Sequence, residues 1–281
     1  MNPLFPVIAA VLEAASLTLD KFILSMHRMH YQAYIGAGFP LFLCALLALF
    51  FIIRPPLTDD MFTGKLLLLL ALAVCVALGT NLLYYRALKN DHLNEMQTVD
   101  LLFGIPAVLY AKLIFPDEKG VLILLLALVA SAAVVWSHWE HHHFRVARRT
   151  LPYLLWIVTL APFSAIATKE LLAVWHPVAL LLVTYGIATV LLTPYLFRHI
   201  RQVPGKAWPF MALTSFLTAI SITLYYFSYQ NFGVIYTMLI FALQPFLVYF
   251  AAFFFLKEQM HRKKIIAFFI ILSAIIVAQF A

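Results

Sequence analysis

Twelve Asp and Glu occur among 281 residues, and only a few stand where a carboxyl could do chemistry. Glu13 lies near the centre of an apolar run, too deep for a short side chain to reach water at either end. An ionisable group at that depth is costly. Glu13 is therefore either a substrate or proton site facing the interior of a helix bundle, or half of a structural ion pair buried between helices. Asp100 lies about two turns into a later apolar run and is the second cavity candidate, whereas Glu95, beside Gln97, reads as interfacial. Glu13 and Asp100 are both candidates for coupling a proton to substrate binding.

Asp20-Lys21 and Lys169-Glu170 are gate candidates, each late in an apolar run. The plainer reading is that each Lys snorkels to the interface and pairs with a helix end or a neighbouring carboxylate. Tyr84, Tyr85, Tyr225, Tyr226 and Tyr229 stand towards the ends of two runs, where aromatic belts at the membrane surface are the default. Tyr84-Tyr85 and Tyr225-Tyr226 are duplicated at one fixed offset, which argues that at least one ring of each pair faces a cavity. With Glu13 or Asp100 such rings form an acidic, aromatic pocket suited to an organic cation. Gln244 and Asn81 lie well inside their runs and either join helices through amide hydrogen bonds or touch a substrate. Pro106 and Pro245 lack backbone donors, so they should bend their helices and free carbonyls that a cavity, water or a neighbour must satisfy.

Other clusters carry less. His138, Trp139, Glu140, His141, His142 and His143 lack separated ligands at zinc-like spacing. Interface anchoring by Trp136 and Trp139 with solvated histidines is the plainer account, and no metal site is expected. Gly36-Ala37-Gly38 suits close helix packing. No Gly-rich phosphate loop occurs, so neither ATP nor any other cofactor is expected. Cys44 and Cys75 stand in apolar runs and support no disulfide framework. Asp59-Asp60 is an acidic doublet that stands alone in a loop.

These residues are set in an unusual composition: 64% of the chain is hydrophobic and 11% charged, with a mean hydropathy of +0.96, against about half and a quarter in soluble domains. Lipid is the main solvent of this fold. A span needs roughly 20 apolar residues, and long unalternating runs fit helices rather than barrel strands. The expected fold is an all-α polytopic membrane protein of about ten transmembrane helices. The spans read as Leu4–Ser25, Gln32–Ile53, Lys65–Leu88, Leu93–Phe115, Val121–His138, Leu151–Val174, Pro177–Phe197, Trp208–Ser228, Phe232–Leu256 and Ile265–Phe280. The tight connections fall at Lys89-Asn90-Asp91-His92 and Tyr229-Gln230-Asn231. The N-terminal run carries Glu13, Asp20 and Lys21 and no basic leader, so it reads as a retained span.

The formal charge of +7 is scattered between apolar runs, which argues against a nucleic-acid partner and for topology marking. Of the 19 Lys and Arg, 13 fall in odd-numbered loops and four in even-numbered ones. That bias puts the odd loops in the cytoplasm and both termini outside.

The chain also repeats itself. A shift of 141 superposes Gly64-Lys65 on Gly205-Lys206, Ala71-Leu72 on Ala212-Leu213, Leu83-Tyr84-Tyr85 on Leu224-Tyr225-Tyr226, and Asn90 on Asn231. With small slips Pro106 then faces Pro245, and Glu118 faces Glu258. The expected organisation is two five-helix repeats, 1–144 with a cytoplasmic linker and 145–281. An odd number of spans per repeat inverts the second copy and sets a substrate site between the halves near the midplane.

Asn231-Phe-Gly-Val-Ile-Tyr-Thr, Gln244-Pro245, Phe255-Leu256-Lys257-Glu258, a basic turn and Ile265-Ile-Ala-Phe-Phe-Ile-Ile-Leu follow in order. This arrangement resembles the end of an EamA-type repeat of the drug/metabolite transporter superfamily. Tyr84-Tyr85-Arg86-Ala87-Leu88, Pro106 and Glu118 form a weaker first version, and Lys21 and Lys169 match the Lys that family often carries late in the first span of each half. Ala267 departs from the Gly common early in the last span. The resemblance implies a ten-helix secondary carrier of the cytoplasmic membrane of a bacterium or archaeon. It would move a small organic solute such as an amino acid, metabolite, organic cation or drug without ATP hydrolysis, with the proton as a possible coupling ion. A multispanning membrane enzyme acting on lipid or prenyl substrates is the competing class, but the paired acidic metal motifs or Ser/His arrangement it needs are missing. A non-transporting scaffold would need no ionisable midplane residue.

Overall fold

Runs of Leu, Phe, Ile and Ala satisfy their own backbone groups in lipid only as helix. The computed structural model describes residues 4–26, 29–90, 93, 96, 100, 102–115, 121–137, 150–256 and 262–279. Among these, no strand occurs. The helices are α1 (Phe5–Ser25), α2 (Tyr31–Ile53), α3 (Gly64–Asn90), α4 (Gly104–Ile114), α5 (Val121–Ser137), α6 (Leu151–Thr159), α7 (Ala161–Leu172), α8 (Pro177–His199), α9 (Trp208–Phe232), α10 (Val234–Phe241), α11 (Gln244–Leu256) and α12 (Arg262–Gln279). Each expected span contains helix. The chain is an all-α polytopic membrane protein.

Side-chain polarity runs inside out. Leu68, Val190, Phe197, Phe254 and Phe269 are among the large apolar side chains facing outward, while Ser16, Asp20, Thr168, Thr214, Ser221 and Thr237 are buried. Lipid accepts the first set; Ser16, Asp20, Thr214 and Ser221 hydrogen-bond between helices, and Thr237 donates to Gly233 O one turn back at 2.7 Å. Among the described residues, α2, α3, α8, α9 and the α10–α11 stretch are each long and apolar enough to cross a membrane. The bent α6–α7 pair makes a sixth such segment, and α4, α5 and α12 are shorter apolar helices. Three charged residues, Glu13, Asp20 and Lys21, set α1 apart from them.

Proline divides three of the spans. Pro162 cannot donate to the Val158 carbonyl, and α6 and α7 meet at 41°. The sixth span is thus two helices rather than one run from Leu151 to Val174. Pro245 withholds the donor for Phe241, and the chain turns through Ala242 and Leu243, with Leu243 N–H bonded at 3.0 Å to Ile240 O. Pro106 does the same to Leu102, beside a turn in which Phe103 N–H reaches Asp100 O at 3.2 Å. A missing donor and the ring's clash with the carbonyl one turn back explain all three breaks. Pro40 and Pro194 are carried inside α2 and α8 without one.

The connection expected at Tyr229-Gln230-Asn231 falls later. Helix α9 runs on to Phe232 and turns at Gly233, whose φ of 84° costs glycine nothing. The ninth span, expected as one helix from Phe232, therefore begins at Val234 and divides into α10 and α11.

Close packing fixes the helix directions. Helix α1 lies antiparallel to α9: Ser221 Oγ donates to Ala9 O at 2.8 Å, and Ser16 Oγ meets Thr214 Oγ1 at 2.7 Å. Ala9, Ala10 and Ala14 make that approach possible. Helix α2 presses on α8 at Gly36, where a Cβ would lie 2.6 Å from the Leu196 backbone nitrogen. Gly38 has no such contact, since only Met211 Cε comes within 3.9 Å. Small residues also line the α5–α12 contact, at Ala127, Ala130, Ala267 and Ala274. Glu118, Glu258, Glu95, Gln97 and the 138–143 cluster lie outside the described residues.

Candidate functional site

The prolines that divide spans four and nine set two stretches of irregular backbone against one cavity of about 330 Å³. Phe103 and Gly104 line it from one side, and Phe241, Ala242, Gln244 and Pro245 from the other. Irregular backbone at membrane depth is tolerated where it borders such a space. Helix α1 supplies Glu13, Leu17 and Asp20, one helical face at intervals of four and three residues. Helix α9 answers with Thr218, Ser221, Ile222 and Tyr225 at the same period.

Of the residues expected at a substrate site, Glu13, Asn81, Tyr84, Tyr85, Asp100, Tyr225 and Gln244 all border this cavity. Tyr226 does not; its hydroxyl neighbours Thr168 instead. Asp20, expected at a gate, also borders the cavity. It accepts hydrogen bonds from Tyr34 on α2, from Tyr85 on α3 at 3.1 Å and from Thr214 on α9 at 2.6 Å. Those three hydroxyls occupy both oxygens and hold four helices together. Asp100 accepts from Tyr153 through Oδ1, and Ser221 is the hydrogen-bond neighbour of Glu13. Asn81 donates to Ala77 O at 2.8 Å and neighbours the Tyr185 hydroxyl.

The other expected gate residues stand at helix ends. Lys21 Nζ donates to Leu88 O at 2.7 Å, and Lys89 Nζ returns the contact to Leu24 O at 2.6 Å. Lys169 Nζ donates to Tyr229 O at 3.3 Å, and Gln230 Nε2 returns that contact to Leu172 O at 2.9 Å. These are two reciprocal clamps, α1 to α3 and α7 to α9. Glu170 forms an exposed ion pair with Lys65 at 3.2 Å. Since Lys65 opens α3 and Glu170 closes α7, those helices run antiparallel, and the clamps lie at opposite ends of the molecule.

Two histidines cap helix starts. His30 Nδ1 accepts Gln32 N–H at the start of α2, and His176 Nδ1 accepts Val178 N–H at the start of α8. Desolvation lowers the imidazole pKa of both, aided at His30 by His199 and Lys89.

Sequence reasoning missed several residues at the cavity. Nothing local in the sequence marks Tyr153 or Tyr185, which border it as well. Thr218 and Ser221 border it from α9, and with Thr214 outside it they form a hydroxyl stripe at helical spacing that was open to reading. Beside the cavity-lining Thr80, Gly79 and Trp156 were also missed as a pair: a Cβ on Gly79 would collide with the indole, whose N–H donates to Thr80 at 3.0 Å.

Among the described residues, three carboxyls and five tyrosines border the cavity, and no Lys, Arg or His does. The N-termini of α4 and α11 contribute about half a positive charge each, less than three ionised carboxylates would carry.

Residues 150–279 match the family model described as the EamA-like transporter family. A solved crystal structure of a protein superposes with a TM-score of 0.74 at 17% identity, covering 99% of this chain and 96% of that one. At that identity the likeness extends to the fold. Among curated proteins no match was found.

Proposed function

We propose, from the match of residues 150–279 to the EamA-like transporter family model, that the chain is a secondary carrier exchanging small organic cations against protons. The family supplies the coarse class, a membrane transporter of small solutes. One observation supports the choice of solute: carboxyls and tyrosines line the cavity, with no basic side chain among the described residues that border it. An amino acid would bring a carboxylate with no cation to meet it, and an unpaired buried charge is expensive. A cation is answered by carboxylate and by aromatic faces. Glu13 and Asp100 are the groups that take cation or proton in turn.

Alternating access in this reading comes from two inverted five-span halves, 1–144 and 145–281, rocking about the cavity. The correspondences support it. Lys21 and Lys169 clamp equivalent helix pairs, His30 and His176 cap equivalent helices, and Pro106 and Pro245 divide equivalent spans. Tyr85 meets Asp20 where Tyr226 meets Thr168. The basic-residue bias then sets the α1–α3 clamp at the cytoplasmic face and both termini outside.

The test is flux in proteoliposomes with and without an imposed pH gradient, native chain against Glu13→Gln and Asp100→Asn. We expect a pH gradient to drive organic-cation movement through the native chain, and each variant to lose that drive by about tenfold or more. Passage of zwitterions with exclusion of every cation tried would sink the reading.

A further inference from the structure

The cavity's hydrogen bonds narrow the solute further, on the premise of the cation-carrier reading above. Asp20 is consumed by the protein, because three hydroxyls already donate to it. Among the described residues Asp100 has one donor, Tyr153, on Oδ1, and none of them donates to its other oxygen. Glu13 is flanked by Ser221, whose proton goes to the Ala9 carbonyl. Two carboxyls therefore remain for a ligand, and they stand on different helices of the first half. In the second half Ala161 and Thr168 stand at the places of Glu13 and Asp20, so no cation–carboxylate site is duplicated there.

A second observation points to the ligand independently. Tyr84 is only 7% exposed, lines the cavity, and its hydroxyl has no hydrogen-bond partner among the described residues. Its counterpart Tyr225 shares a 2.6 Å hydrogen bond with Tyr229 one turn on. The first half has Leu88 at that place. Buried hydroxyls are ordinarily partnered, so the Tyr84 oxygen is one hydrogen bond short, and Asp100 is the charged group that acts on it most strongly.

We propose that the solute is a linear primary diamine, with one ammonium held by Glu13 and the other by Asp100 and the Tyr84 hydroxyl. A single ammonium leaves one carboxyl unanswered, and two ammonium groups answer both. An ammonium N–H can be accepted by the Tyr84 oxygen, whereas a quaternary nitrogen has no proton to offer. The rings of Tyr84, Tyr153 and Tyr225 flank the methylene chain. A cavity of about 330 Å³ is at the small end of ligand-sized pockets, which suits a short alkyl chain.

Calorimetric titration of the full chain in detergent at about pH 8, where alkylamines are charged, tests this with diaminohexane, aminohexane and hexamethonium. The diamine should bind at least about tenfold more tightly than the monoamine, and more tightly than the methylated dication. Tyr84→Phe should shrink the gap between the two dications to about threefold or less. Asp100→Asn should erase the diamine's advantage over the monoamine. Equal affinity of diamine and monoamine on the native chain overturns the diamine proposal and leaves the cation reading standing. Binding of neither amine by a chain with an unaltered melting transition defeats both.

Discussion

The Lys21 ammonium donates to the carbonyl oxygen of Leu88 at 2.7 Å, joining the last turns of α1 and α3. A helix ends with carbonyls that lack intrahelical donors, and a cation is the favoured partner there. Lys169 does the same for Tyr229 at the other end of the molecule.

Removing either ammonium should loosen its clamp. Lys21→Met and Lys169→Met should each lose about 1.5–3 kcal/mol, the worth of a hydrogen bond from a charged donor. Lys65→Ala, which breaks only the exposed pair with Glu170, should lose no more than about 1 kcal/mol. Melting temperatures in one detergent rank the three, and equal losses would contradict the assignment.

The glycines of α2 offer an internal control. At Gly36 the added methyl meets backbone that cannot step aside, and at Gly38 it meets only the end of a flexible Met. Gly36→Ala should destabilise by about 1–3 kcal/mol or more through overpacking, and Gly38→Ala should be close to neutral. Thermal unfolding of the two variants decides it.

His176 caps α8 only while Nδ1 carries a lone pair. Its pKa lies below the usual imidazole value in the folded chain, so the unfolded chain takes up a proton first as the pH falls. Stability from this group is therefore complete above about pH 6.5 and is lost as the pH falls through the lowered folded value. His176→Ala should cost about 0.5–2 kcal/mol at neutral to alkaline pH, and the gap to the native chain should narrow near pH 5. A gap independent of pH would assign His176 a packing role instead.

Inversion of the halves is open to direct labelling. With Cys44 and Cys75 replaced by Ala, single cysteines at Asp60 and Arg201 should react with a membrane-impermeant thiol reagent from opposite sides of the bilayer. Reaction of both from one side would remove the basis for rocking halves.

Much of this molecule is legible in its amino-acid order alone. Composition and run length lead to helices in lipid, because solvent acts on every residue alike and leaves its mark locally. The depth of Glu13 and the breaks near Pro106 and Pro245 are readable for the same reason: a missing N–H acts on its own helix, one turn back. The break at Pro162 obeys that rule too, yet the apolar run around it hides the division. Only the tertiary structure decided which polar groups meet. Asp20 reads as a gate beside Lys21 in the chain, but its partners lie 14, 65 and 194 residues away. Tyr153 becomes a cavity residue only because α6 carries it to Asp100. Helical periodicity says which side chains share a face. What stands opposite that face depends on packing between distant segments, and that determines which carboxyls remain open to a solute.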